Sequence, residues 1–272
     1  MKRLVCMLAL VMGPSAWAQQ AAGDAAKKPA AAEDKDRRPR TSGEVNWAGP
    51  VIKATGSGAP DMRATSPAQA RLGAETAAKL DAFRNLLSQA KGLNVSAGKT
   101  VGQAMEEDVI RGRVEGIIRG YKVTARRYYS DSGVELDVEV PMGAIVDAVQ
   151  PAATTVIGLN TEGPRKHTGV IVDARGLSLA PVLAPRLLDE AGAEVYAAEV
   201  VSNEALREQG VAGYFGSLDE AKKSERVGDR PLVIKALRTA GADLVLSADT
   251  IKQLKASNQS YLAEGRVAIV SK

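Results

Sequence analysis

The longest hydrophobic pattern in the chain is helical and spans about residues 66–91. Its apolar positions recur at helical spacing and are Leu72, Leu80, Phe83, Leu87 and Ala90. The ends carry matching signals: Ser66 is a natural N-cap, Pro67 takes the first helical position, Gln69 completes a capping box, and Gly92 stops the helix. The pattern predicts an amphipathic helix that packs these apolar side chains on the core.

A second helix is predicted a few residues further on. Thr100 and Gln103 repeat the capping box. The apolar positions that follow at helical spacing are Val101, Met105 and Val109. Gly112 and Gly116 lie four residues apart on the same predicted helix, and we expect them to let another backbone approach closely.

Strict alternation of apolar and polar residues predicts a β-hairpin over 122–140, with its turn at 131–133. The apolar positions of its second strand are Val134, Leu136, Val138 and Val140. If Ser130 pairs with Gly133, Arg126 lies opposite Asp137 on the polar face. Upstream, Trp47 and residues 51–52 predict a strand that ends in a glycine turn. Helices on one side of an antiparallel sheet make this first domain, over 45–152, an α+β unit.

The second half of the chain alternates predicted strands with weaker helical patterns, after a linker over 153–168 rich in glycine and proline. The predicted strands are 170–172, 182–188, 194–201, 231–237, 244–246 and 266–270. Ser247 is the expected N-cap of a helix that carries Ile251 and Leu254. These patterns predict a small mixed α/β domain over 169–272.

The first 18 residues have the pattern of a secretory signal peptide. Lys2 and Arg3 precede an apolar run over 4–12, and a small-residue cleavage site leaves Gln19 as the new N-terminus after Ala18. The run is too short to cross a bilayer, so we expect no membrane span. Cys6 lies inside the run and not at the cleavage point. We therefore predict a periplasmic or secreted protein that is not a lipoprotein, followed by a disordered linker over 19–44.

The amino-acid composition excludes several kinds of metal site. The 272 residues contain one Cys and one His, which cannot supply a zinc finger or an iron–sulfur cluster. We expect no cofactor and no metal. The sequence pI of about 9.1 comes mainly from basic residues in the first 44 positions, so a nucleic-acid partner is not expected.

Several short motifs have simpler structural explanations. The segment 92–100 resembles a phosphate-binding loop, but it has five residues between its glycines and follows a helix, so a helix stop plus a helix cap is favoured. Ser88 and Ser96 each start a Ser-x-x-Lys pattern that lacks the partner motifs of penicillin-recognising enzymes. His167 stands in a polar linker beside Lys166. We predict no catalytic residues.

Asp173 and Arg175 directly follow the predicted buried strand 170–172. An Asp and an Arg at a strand end can bind a ligand or can pair with each other beside Gly176, and the residues alone favour the pair. Both interpretations stay open at this point.

The order of elements and two strings in the second half carry a family resemblance. The strand near Trp47, the alanine-rich helix, the second helix and the hairpin resemble the Lpp-twenty lipoprotein family and the N-terminal part of flagellar assembly protein T. The string over 168–177, which contains Asp173 and Arg175, is similar to segments that accompany this domain in secreted bacterial proteins. So is the string over 185–196, in which Arg186 is a further possible contact to a ligand or partner.

The resemblance implies a structural or assembly protein of the cell envelope, with envelope or flagellar proteins as partners. Together with the signal pattern, it leads us to expect a non-enzymatic periplasmic protein, and the flagellum is one location that the resemblance suggests for it. The alternative is a periplasmic module that binds a small ligand or cell-wall fragment at the strand end near Asp173 and Arg175.

Overall fold

The computed structural model describes residues 44–150 and 158–271. An antiparallel sheet that carries a long helix comes first, and a parallel sheet and a mixed sheet follow. The α+β fold class is therefore confirmed. The predicted signal peptide, its cleavage point at Ala18 and Gln19, and nearly all of the linker over 19–44 lie outside the described residues.

The elements of the described ranges alternate along the chain. The helices are α1 (Pro67–Gly92), α2 (Val101–Ala104), α3 (Asp108–Arg119), α4 (Met142–Val149), α5 (Asn203–Gln209), α6 (Leu218–Lys223), α7 (Ala248–Lys255) and α8 (Ser260–Ala263). The strands of the first half are β1 (Glu44–Asn46), β2 (Val51–Gly58), β3 (Asn94–Ser96), β4 (Lys99–Thr100), β5 (Lys122–Tyr128) and β6 (Val134–Pro141). Those of the second half are β7 (Gly169–Asp173), β8 (Leu187–Leu188), β9 (Glu194–Tyr196), β10 (Gly213–Phe215), β11 (Pro231–Lys235), β12 (Arg238–Ala240), β13 (Asp243–Val245) and β14 (Val267–Val270).

The first sheet has the order β1-β2-β6-β5 and is antiparallel throughout. Its β2 continues through Gly56 and Gly58, so the glycine turn predicted there is wrong. A Cβ at Gly56 would overlap the backbone of α1 at Ala78 and Ala82. These glycines are needed because the helix backbone lies directly on the strand.

Helix α1 begins and ends where the sequence predicts. Ser66 caps it by accepting a hydrogen bond from the backbone N–H of Gln69, although the Gln69 side chain accepts from the N–H of Thr65 and does not close the capping box on Ser66. The predicted buried face is wrong at two positions, since Leu72 is 67% and Leu80 is 55% exposed. The buried stripe consists of Ala74, Ala78, Ala82, Leu86 and Ala90. Small side chains on this stripe allow the close approach to β2.

The predicted second helix is two helices. The capping box of Thr100 and Gln103 is present at α2, but α2 ends at Ala104 and α3 starts at Asp108. The side chain of Val109 is 58% exposed. A Cβ at Gly112 or Gly116 would meet nothing within 4 Å, so the predicted close approach of another backbone there is wrong.

The β5–β6 hairpin is confirmed, but its register differs from the predicted one. Tyr128 lies opposite Val134, which shifts the pairing by one residue, and a bulge interrupts β5 between Val123 and Ala125. Arg126 therefore does not lie opposite Asp137. Its neighbour Arg127 reaches that carboxylate instead, because the shifted register pairs Arg127 with Glu135, which lies on the same face of β6 as Asp137.

The second half contains two four-stranded sheets. The order of the parallel sheet is β10-β14-β7-β11, so the last strand in sequence lies between two earlier ones. The mixed sheet has the order β12-β13-β8-β9. The predicted strands 182–188 and 194–201 are much shorter, because only residues 187–188 and 194–196 pair; residues 198–200 form a 3₁₀ turn. Ser247 caps α7 as predicted.

The two halves are in contact through backbone hydrogen bonds. The N–H groups of Leu183 and Ala184 donate to the carbonyls of Asn94 and Val95, each over 2.9 Å. A third bond of 2.9 Å joins the two halves at the N–H of Tyr214 and the carbonyl of Trp47, whose rings meet edge to face. The predicted domain boundaries stay predictions.

Candidate functional site

The loop after β7 holds two of the predicted site residues, Asp173 and Arg175. The Arg175 guanidinium donates from Nε to Oδ1 of Asp173 over 2.8 Å and from Nη2 to Oδ2 over 2.7 Å. The backbone N–H of Arg175 donates to the same Oδ1 over 3.1 Å. The structure thus brings both residues together as a two-pronged ion pair within one loop, which the sequence pattern favoured.

The charges around this pair are balanced. Hydrogen bonds from Arg175 lower the pKa of Asp173 below its ordinary value, and the nearby charge of Lys235 adds to the effect. Lys235 ends β11 directly opposite Asp173 in the sheet register. The Asp173 carboxylate in turn raises the pKa of Arg175, with a small contribution from Asp219. A ligand at this strand end therefore has to compete with the internal pair.

Arg186 belongs to a different sheet and directly precedes β8. Its Nε and Nη2 donate to Oδ2 of Asp243 over 3.0 Å and 2.6 Å, and its Nη1 donates to Oε1 of Glu194 over 2.9 Å. Asp243 is only 2% exposed, and a buried carboxylate is costly unless it is paired. The two carboxylates raise the pKa of Arg186. The third predicted site residue is therefore the counter-ion of a buried acid that the sequence pattern did not reveal.

A cleft of about 190 Å³ opens beside Arg186, between the two halves of the chain. Its walls are formed by Ser96, Ala97, Gln150, Ala184, Arg186, Glu194, Ala198 and Glu199. Sequence reasoning missed this cleft because its residues come from separate segments that no spacing rule connects. Of these residues, the sequence indicates only Arg186 as a contact to a ligand or partner.

The outward face of α1 is apolar and positively charged. Leu72 and Leu80 protrude from it two turns apart. Arg84 and Lys91 are exposed further along the helix, and neither has a carboxylate partner within the described ranges. Arg71 lies with its guanidinium 5.7 Å from the ring centre of Tyr128. We call the exposed surface formed by Leu72, Leu80, Arg84 and Lys91 the α1 face.

The short motifs have structural roles where the contacts define them. The phosphate-loop look-alike is the end of α1, the β3–β4 hairpin and the cap of α2. Of the two Ser-x-x-Lys serines, Ser88 lies exposed on α1 and Ser96 lies in the cleft wall. In residues 44–150 and 158–271, no three His, Cys, Asp or Glu side chains come together as a metal site would require.

The membrane prediction concerns the helices. Over the part of the chain that the structure describes, no helix combines the length and apolar character that crossing a bilayer requires.

Comparison with known proteins covers the second half only. Residues 169–272, less than half of the chain, match the family model described as Treponema pallidum Tp0624, second domain. Both strings that carry the sequence resemblance in this half fall within or at the edge of the matched residues. The match is to neither of the families that the sequence resembles. No curated protein matches the chain.

Proposed function

We propose that this chain is a non-enzymatic protein of the bacterial cell envelope that acts in assembly through contacts with other proteins, with the flagellum as one candidate assembly. The single observation that carries the proposal is the α1 face. Leu72 and Leu80 are large apolar side chains on a helix whose opposite face already supplies the core. Exposed apolar residues that cluster beside charges are typical of interaction surfaces.

A further observation supports an assembly role. The guanidinium groups of Arg175 and Arg186 both hold carboxylates of the same chain, which is typical of ion pairs that stabilise a fold.

The charge of the α1 face indicates the chemistry of the partner. Arg84 lies one turn from Leu80 and Lys91 lies further along the helix, and no carboxylate among the described residues pairs with either, so the complementary surface carries carboxylates around an apolar groove. Envelope and flagellar ring proteins with such a surface are the partners that we propose.

Site-specific photo-crosslinking in envelope preparations tests this assignment. A photoreactive residue at Leu80 is expected to crosslink one envelope protein, whereas the same probe at Leu237, an exposed residue of the second half, is not. Leu72→Glu should abolish the crosslink from Leu80. Equal crosslinking from both positions contradicts the proposal, as does turnover of an envelope substrate by the purified protein.

A second candidate function is ligand binding at the strand end near Asp173. Its support is position: the carboxyl ends of parallel strands are frequent ligand sites, and β7 is a central strand of the sheet. Thermal-shift measurements with cell-wall fragments and nucleotides test it. A shift that Asp173→Ala removes supports binding, and the absence of any shift leaves the assembly role as the better proposal.

A further inference from the structure

We propose that the cleft beside Arg186 binds a small, positively charged ligand, namely an amine of about monosaccharide size that also carries hydroxyl groups. This site is separate from the strand end at Asp173 and from the α1 face. The proposal does not depend on the assembly role, because it concerns residues that the α1 face does not contain.

The charge of the cleft selects a cation. Arg186 is the guanidinium in its wall, and this group is held by the buried carboxylate of Asp243. Glu194 also pairs with Arg186, but its side chain is 39% exposed to the cleft and to solvent. Glu199 adds a third carboxylate. Because the buried Asp243 balances the charge of Arg186, the carboxylates of Glu194 and Glu199 leave the cleft wall negatively charged, so an ammonium group is favoured and an anion is repelled.

Three side chains in the walls have polar groups that no other described residue engages. They are the Glu199 carboxylate, the Gln150 amide and the Ser96 hydroxyl. The carboxylate can accept from an ammonium group, and the amide and hydroxyl can each donate to or accept from a hydroxyl. Polar groups that converge in one concave site from different segments are the usual mark of a ligand site.

The walls are held in place before any ligand arrives. The N–H groups of Leu183 and Ala184 bond to the β3 strand, and this fixes the Ser96 side of the cleft against the Ala184 side. Arg186 is fixed by its paired hydrogen bonds to Asp243. A preformed site loses little conformational freedom on binding, which favours small ligands that offer few contacts.

The size of the cleft indicates the size of the ligand that would fill it. A volume of about 190 Å³ corresponds to roughly six water molecules at their share of liquid volume. A hexosamine or a short hydroxylated amine fills such a space, whereas a nucleotide or an oligosaccharide exceeds it.

Three sugars of nearly equal size and different charge show whether binding depends on the charge of the ligand or on its shape. Glucosamine carries an ammonium group, glucose is neutral and glucuronate is an anion. In titrations followed by amide NMR at low salt, we expect glucosamine to shift the signals of Gln150 and Glu199, with glucose far weaker and glucuronate without effect. Equal shifts from glucosamine and glucose, or no shift from glucosamine, would overturn the proposal.

A matched pair of variants then locates the site. Glu199→Gln keeps the shape and removes the charge, and it should weaken glucosamine binding by about tenfold or more, as expected for a lost charge-assisted hydrogen bond. Glu220→Gln, on the exposed surface of α6, makes the same change outside the cleft and should leave binding unchanged. Unfolding curves check that both variants fold. Equal effects of the two changes would mean that glucosamine does not bind in the cleft.

Discussion

Arg127 engages two carboxylates of the neighbouring strand at once. Its Nη1 and Nη2 donate to Asp137 over 2.5 Å and 2.7 Å, and its Nε donates to Glu135 over 3.0 Å. The three side chains are between 16% and 39% exposed, so water screens their attraction only in part. A bidentate pair with a third partner has the geometry in which an ion pair near the surface contributes measurably to stability.

Replacing Arg127 and its neighbour Arg126 in separate variants distinguishes the stability that this network contributes from the effect of losing one positive charge. Arg127→Met should lower the free energy of unfolding by about 1 kcal/mol, because it removes the guanidinium that bridges the partly buried carboxylates of Glu135 and Asp137. Arg126→Met makes the same change in net charge and should cost only a few tenths of a kcal/mol. Urea denaturation measures both. Equal losses of unfolding free energy in the two variants would show that Arg126 contributes as much to stability as Arg127, and would contradict the role of the Arg127 network.

The ion pair of Asp173 makes stability depend on pH in the acid range. Because Arg175 lowers the pKa of Asp173 below its ordinary value of 3.8, the carboxylate stabilises the folded state at pH values above 3.8. This contribution is lost as the pH falls from there through the lower, folded-state pKa. The wild type should therefore exceed Asp173→Asn in unfolding free energy at pH 7, and the difference should vanish in strong acid.

Denaturation of both proteins at several pH values measures this difference. Glu220→Gln serves as a control for the loss of one exposed carboxylate. A difference between wild type and Asp173→Asn that stays constant from neutral to strongly acid pH would contradict the assignment of the ion pair.

At the scale of single elements, the packing of α1 on β2 depends on the absence of side chains. The buried stripe of α1 is mostly alanine, and Gly56 lies where a Cβ would overlap the helix backbone. Backbone atoms cannot move aside as a flexible side chain can. The helix and the strand must therefore separate if either surface grows.

Two glycine-to-alanine changes on these elements should change the stability of the protein in opposite directions. Gly56→Ala should destabilise the protein by about 2 kcal/mol or more through overpacking. Gly73→Ala, inside α1 with open space around its Cβ position, should be stabilising by up to about 1 kcal/mol because alanine favours the helix. Thermal unfolding midpoints give the two directions. A stabilising Gly56→Ala would contradict the close contact of helix and strand.

The capped N-terminal ends of helices were the part of the fold that the sequence predicted best. Ser66, Thr100 and Ser247 cap their helices through contacts within three residues, which a local pattern can reveal. The buried face of α1 was not predictable in the same way. Leu72 and Leu80 are more hydrophobic than the alanines, but the close approach of β2 leaves room only for small side chains at Ala74, Ala78 and Ala82. The short strands of the second half likewise depend on partners distant in sequence.

At the scale of the whole molecule, two short helices join the halves. A Cβ at Gly143, in α4, would overlap the carbonyl oxygen of Leu206, in α5. Arg207 of α5 adds an ion pair of 2.9 Å to Asp147 of α4. Perturbing this contact should therefore affect both halves of the chain.

Hydrogen exchange tests that coupling. Gly143→Ala should lower amide protection in β6 and in β7 together, whereas Gly112→Ala, at an open position of α3, should lower neither. Loss of protection in β6 alone would mean that the halves unfold independently, as separate domains.

The candidate site, like the fold, could be predicted from the sequence only where its contacts join residues that are close along the chain. Asp173 and Arg175 are two residues apart, and the sequence alone raised the possibility of their pairing. The string over 185–196 indicates Arg186 as a contact residue, but its partner Asp243 lies 57 residues away and becomes adjacent only when β8 and β13 pair. The cleft walls depend on still more distant contacts.

The place of β14 between β7 and β10 has a consequence for the time at which the protein folds. Residues 267–270 form the strand that pairs with both β7 and β10, which are synthesised earlier. Nearly all of the described chain must therefore be synthesised before the parallel sheet can form completely. Until then the buried edges of β7 and β10 have no partner between them. The predicted signal peptide would direct the chain to a translocation machinery that accepts only unfolded chains. Late formation of the parallel sheet would keep the chain unfolded for longer and so favour its export.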